Sequence, residues 1–155
     1  MSSSMDSRPG YWFTSSLFEV EPGEDEETNP RMYGRQLANW LRSKFELLGY
    51  EVEEVIPEDW GWCVMCQRDP YMLFIGCVNR IDYEVDEEDD TPPLKQNLLW
   101  HAVPFAEIPF FKRLFRKINT QPGLDKLDCD LCNVLDKESG IEVLAEKVSD
   151  APHAT

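Results

Sequence analysis

Four of the five cysteines fall in two C-x-x-C pairs, Cys63 with Cys66 and Cys129 with Cys132. Two such pairs are the usual way to present four thiolates to a tetrahedral zinc ion. The spacing argues against it here. The pairs are 62 residues apart, far beyond ribbon spacing, and the first pair lies in a predicted strand, where residues three apart point to opposite faces. The cysteines therefore read as buried apolar thiols, and no cofactor is expected.

Acid–base chemistry has one candidate, the segment Glu58-Asp59-Trp60-Gly61-Trp62, which sets two carboxylates beside two indoles. In a strand Trp60 and Trp62 share a face, with Gly61 leaving room between them. Such a pair can be core or an aromatic anchor for a ligand or partner. The two carboxylates are adjacent, and adjacent side chains diverge, so no catalytic separation follows. With only His101 and His153 available, nucleophilic triads are poorly supplied, and His101 beside Trp100 reads as a packed residue. No G-x-S-x-G, G-x-x-x-x-G-K, H-E-x-x-H or G-x-G-x-x-G occurs. An enzyme is therefore the less favoured class.

Charge carries more information. Thirty Asp and Glu face fifteen Lys and Arg in a 155-residue chain, for a formal charge of −15. That field repels phosphate backbones and anionic lipid, so neither nucleic acid nor membrane is expected as a direct partner, whereas a basic protein surface is attracted. Ten of the thirty acids sit in two runs. Glu24, Asp25, Glu26 and Glu27 form the first; Glu84, Asp86, Glu87, Glu88, Asp89 and Asp90 form the second. Neither has the alternating ligands, central glycine and terminal glutamate of an EF-hand. Both read as loops, solvated or docked to a basic partner. Lys112, Arg113, Arg116 and Lys117 make the one basic cluster, expected to pair within the molecule.

The elements that position these residues follow from periodicity. Residues 1–10 and 149–155 read as polar tails around one domain at 11–148, long enough to bury a core without disulfides or metal. Tyr11–Val20 reads as a strand. Tyr33, Leu37, Trp40, Leu41, Phe45 and Leu48 recur at helical spacing, so a helix is predicted over 30–48, with Pro30 at its first position and Gly49 at its end. Strands are predicted at Glu51–Ile56 and at NLLWHAVPF, and a hairpin from Trp60–Gln67 and Tyr71–Ile81. Within that hairpin YMLFIGCV is apolar at successive positions, as in a strand covered on both faces. IPFFKRLFRKI is predicted as an amphipathic helix with Phe111, Leu114, Phe115 and Ile118 on its apolar side. Two more helical stretches carry Leu124, Leu127, Leu131, Leu135 and then Ile141, Leu144, Ala145, Val148. The fold class is α+β, a mostly antiparallel sheet of about five strands with helices packed on it.

The segments GEDEETNP, YGRQLANWL and GYEVEEVIPEDWGW, spanning 23–62, resemble parts of small stand-alone acidic bacterial proteins without assigned chemistry. In size, acidity and aromatic content the chain also resembles immunity proteins that neutralise bacterial toxins. That resemblance implies an acidic cytoplasmic inhibitor of a basic toxin or nucleic-acid enzyme, with the two acidic runs steering encounter and Trp60 anchoring it. The alternative is a small-ligand or metal-binding domain, or an enzyme, using Glu58–Trp62 or the paired cysteines. No basic segment followed by an apolar run opens the sequence and no stretch approaches a membrane span, which also predicts a cytoplasmic protein.

Overall fold

The computed structural model describes residues 4–81, 92–114 and 117–144. Seven strands form one antiparallel sheet: β1 (Ser4–Ser7), β2 (Tyr11–Ser15), β3 (Ile56–Glu58), β4 (Gly61–Gln67), β5 (Met72–Ile81), β6 (Leu98–Ile108) and β7 (Ile141–Val143). Their order is β3-β4-β5-β6-β2-β7, with β1 also on β6. The α+β class therefore holds, with seven strands instead of five.

β6 organises the sheet because its burial alternates over all eleven residues, the pattern that fixes register. It pairs with β5 along its length and with both N-terminal strands on its other side. β1 and β2 share that edge because Gly10 turns between them at φ +78°, where a Cβ would collide with the Ala102 carbonyl oxygen. Ser4–Ser7, expected as part of a tail, is held by β6 and by Arg8, which pairs with Asp125 at 2.6 Å.

Helix α1 (Arg35–Leu47) buries Leu37, Ala38, Leu41 and Phe45 completely. Helix α3 (Gln121–Asp136) does the same with Leu124, Leu127, Leu131 and Leu135. Both stripes have helical spacing, and both enter one core cluster with Phe13, Trp62, Ile75 and Trp100 of the sheet. Fully burying one such leucine is worth about 1.5–3 kcal/mol. Leu131→Ala would cost about 2–5 kcal/mol by adding a cavity.

Several expectations are corrected. The first helix starts at Arg35, not residue 30; the Pro30 region is a turn, with Met32 N–H donating to the Asn29 oxygen at 2.9 Å. The first strand stops at Ser15, whose hydroxyl oxygen accepts from Leu17 N–H and turns the chain. The third strand is Ile56–Glu58 and takes in Pro57, which an edge strand tolerates. Of the helix expected at 108–118 the described residues show α2 (Phe110–Arg113), with Phe111 and Leu114 60% and 63% exposed; Phe115 lies outside the described residues. Ile141–Val143 is an edge strand on β2, not helix. β5 is central as expected; the two long helices, α1 and α3, enter the same core cluster and so lie on one face of it, and among the described residues neither covers its other face.

Candidate functional site

The first acidic run is a short 3-10 turn at Glu24–Glu26, entered through Gly23. Its first residue belongs to the fold. Glu24 is fully buried; its carboxylate accepts from Gly34 N–H at 2.8 Å, Arg35 N–H at 2.9 Å and Glu21 N–H at 2.7 Å. Helix α1 begins at Gly34 without a side-chain cap of its own, so Glu24 satisfies its orphan donors and sets an anion at the positive end of the helix dipole. It is thereby withdrawn from any docking role.

Its neighbours are available. Asp25 is half-buried and accepts from Arg31 N–H at 3.0 Å, while Glu26 and Glu27 are exposed. Arg35 pairs with Glu27 and, at 3.2 Å, with Glu21. An open cavity of about 1030 Å³ lies beside this turn, and Glu21, Asp25, Glu26, Arg31, Tyr33 and Pro92 are among its lining residues. Burial, and next the Asp25 charge, push the Tyr33 phenol up, so it stays a neutral donor at the cavity wall. Three carboxylates against one cation, Arg31, among the lining residues suit a guanidinium or ammonium group.

Trp60 comes to the same end of the molecule. Asn29, just beyond the acidic run, donates from Nδ2 to the Asp59 carbonyl oxygen at 2.8 Å. This ties the loop to the β3–β4 turn that carries Asp59 and Trp60, both exposed. The expectation that Trp60 and Trp62 share a face fails, because Trp60 belongs to the turn and the strand alternation starts only at Gly61. Trp62 is buried at 1% exposure toward the helices, beneath Arg35 at 4.7 Å, whereas Trp60 lies over Gly76 on the opposite face. A Cβ at Gly76 would meet both Trp60 and Phe105, so the glycine makes room for the indole.

Glu84 and Asp86–Asp90 lie outside the described residues. Their flanks are placed: Pro92 lines the cavity beside Glu21, Asp25 and Glu26, and Asn79, two residues before the end of β5, accepts from Tyr33 N–H at 2.7 Å through Oδ1. The described residues Asn79 and Pro92, which flank the second run, thus lie beside the first loop.

The four paired cysteines are not gathered at one place, and the expectation that they are buried thiols holds for Cys63 and Cys66 but fails for Cys129 and Cys132. Cys63 belongs to a cluster with Met65 and Phe74 on one face of the sheet, while Cys66 belongs to the main core on the other. Cys129 is exposed on α3 and Cys132 half-buried. Among the described residues no group of three or more His, Cys, Asp or Glu is arranged to hold a metal. Burial, then the Glu58 charge, pushes the Cys63 thiol up to about 12, and burial raises Cys66 and Cys77 too. All three are protonated and unreactive near neutral pH.

Of the basic cluster, Lys112 pairs with Asp69 and donates to the Pro70 oxygen at 3.1 Å. Arg113 lies 5.6 Å from the Phe110 ring, Lys117 is exposed, and Arg116 is outside the described residues. His101 is half-buried and stacked on Trp12 at 3.9 Å between ring centroids. Asn29 and Arg35 escaped sequence reasoning; nothing local marks either as a link between distant loops. No described helix is long and apolar enough to cross a membrane. Comparison with protein-family models, curated proteins and solved structures returned no match.

Proposed function

We propose that the chain is an acidic protein-binding module of inhibitor or immunity type, which docks a basic protein at the end of the sheet where the first acidic run and the Trp60 turn adjoin. The observation that carries this reading is the Asn29–Asp59 hydrogen bond, which fastens the first acidic loop to the turn bearing Trp60. Asp25, Glu26 and Glu27, with the second run at 84–90, supply long-range attraction; the partly exposed Trp60 supplies the desolvated anchor that interfaces favour. The cavity beside Asp25 and Glu26 accepts a Lys or Arg side chain of the partner.

A second reading rests on the size of that cavity, about 1030 Å³, which also admits a small cationic ligand. Affinity capture on the immobilised full chain separates the two. A basic protein retained at low salt and released at high salt supports docking. Retention of no protein, with saturable binding of a polyamine to the cavity, supports the small ligand.

A further inference from the structure

Of the five cysteines, Cys63, Cys66 and Cys77 are buried, whereas Cys129 is exposed and Cys132 half-buried, both on helix α3. The accessible pair stands three residues apart in one helix, which makes the two side chains neighbours on its surface, with Cβ atoms about 5–6 Å apart. They lie away from the buried stripe of Leu124, Leu127, Leu131 and Leu135. A helical side chain leans back over the preceding turn, so Cys132 leans toward Cys129. In the folded protein no other thiol is reachable.

The uses of such a pair differ in what they require. A disulfide needs Cβ atoms at about 3.5–4.5 Å, closer than a helical turn sets them, and α3 runs unbroken from Gln121 to Asp136. Zinc asks for four ligands, and among the described residues no third His, Cys, Asp or Glu is arranged with the pair to hold an ion. A two-thiolate complex of a monovalent soft metal such as copper(I) carries a net negative charge. Negative charge is already dense here: Asp136 Oδ2 lies 3.6 Å from the Cys132 sulfur, and Asp128, one turn before Cys132, accepts from the Tyr11 hydroxyl at 2.9 Å. Adding a further like charge at this range is unfavourable. The pair therefore suits a centre that joins the two sulfurs through one atom, brings its own third ligand and adds no charge.

We propose that Cys129 and Cys132 form a dithiol site for a trivalent metalloid hydroxide, of which arsenous acid is the type. Each thiol condenses with one hydroxyl: an As–O bond breaks, an As–S bond forms, and the thiol proton leaves with that hydroxyl as water. Two waters are released, one hydroxyl stays on arsenic, and no oxidation state changes. The product is uncharged. Two bonds to one bridging atom, each near the about 2.3 Å of a zinc–thiolate bond, span the helical turn, which a direct S–S bond of about 2.0 Å does only with strain. The site is independent of the docking reading.

Native mass spectrometry of the full chain with sodium arsenite is the test. The expected result is one arsenic per folded chain, retained in excess glutathione, removed by dithiothreitol, and bound with unchanged circular dichroism. Cys129→Ser and Cys132→Ser should each weaken retention about a hundredfold or more, because the second sulfur binds at the high effective concentration of a linked site. If Cys132→Ser fails to fold, Cys132→Ala takes its place. No uptake by the folded chain, uptake undiminished in the single variants, or uptake accompanied by loss of helix would each overturn the proposal. A Cys129–Cys132 disulfide formed by oxidised glutathione with the helix intact would overturn it as well.

Discussion

The side-chain amide of Asn29 donates to the backbone oxygen of Asp59 at 2.8 Å, across 30 positions of sequence. This bond is solvent-exposed, so its worth to folding is at the low end of the about 0.5–1.5 kcal/mol of an intramolecular hydrogen bond. Its worth to docking is larger, because it fixes the acidic loop relative to Trp60. Asn29→Ala should lower stability by under about 1 kcal/mol yet weaken the captured partner about tenfold, mainly through faster dissociation. Unchanged dissociation kinetics would separate the loop from the turn functionally.

Glu24 and its neighbours should behave oppositely, although composition treats them alike. Glu24→Ala strands the Gly34, Arg35 and Glu21 amides and should cost about 2–4 kcal/mol. Asp25→Asn and Glu26→Gln should stay within about 0.5 kcal/mol. Urea denaturation midpoints check this. A harmless Glu24→Ala would mean that water replaces the carboxylate.

Thiol labelling of the native protein should modify Cys129 rapidly and Cys132 more slowly, with Cys63, Cys66 and Cys77 reacting only on unfolding. The order follows exposure and the raised thiol pKa values of the buried three. Cys77→Ser should cost about 1–3 kcal/mol by burying a hydroxyl, and Cys129→Ser should stay within about 0.5 kcal/mol. Prompt native labelling of Cys66 would contradict the placement of β4 against the helices.

Tyr50 joins the core to α3 through its hydroxyl, 2.6 Å from Asp130, which also accepts from Lys126 at 2.8 Å. Burial and then the Asp130 hydrogen bond raise the Tyr50 phenol. Its folded pKa is above the unfolded value of about 10, so its contribution is present below pH 10 and is lost as pH climbs from there toward the folded value. Burial alone would raise Asp130, but hydrogen bonds from Lys126 and Tyr50 reverse this and lower it. Its contribution is present above the unfolded value of about 3.9 and is lost as pH falls through the folded one. Tyr50→Phe should flatten both limbs of the stability–pH profile. A variant curve parallel to the parent would remove the triad from the fold's pH response.

Periodicity made the two long helices legible. Leu37, Leu41 and Phe45, and Leu124 through Leu135, repeat at the helical interval and do face the core. Long-range partners stayed hidden. Ser4–Ser7 is polar and becomes a strand only because β6 offers unpaired backbone. Ile141 begins a stretch with helical spacing, yet Ile141–Val143 is held as a strand by its pairing with β2. Glu24 lies ten residues before the helix it caps, beyond the reach of capping-box spacing. Trp60 sits one residue before its strand begins, and that single position sends it to the other face.

The most direct measurement of acidic docking is the association rate of the captured basic protein as a function of ionic strength. It compares the parent with the Asp25→Asn, Glu26→Gln, Glu27→Gln variant and with an equally neutralised control, Glu46→Gln, Glu51→Gln, Glu54→Gln. Locally placed charge steers more than distant charge of equal size. The loop variant should therefore associate about tenfold more slowly at low salt and show a much flatter salt dependence, while the control stays within about twofold of the parent. Equal slowing in the two variants, or a parent rate insensitive to salt, would contradict docking at this end of the sheet.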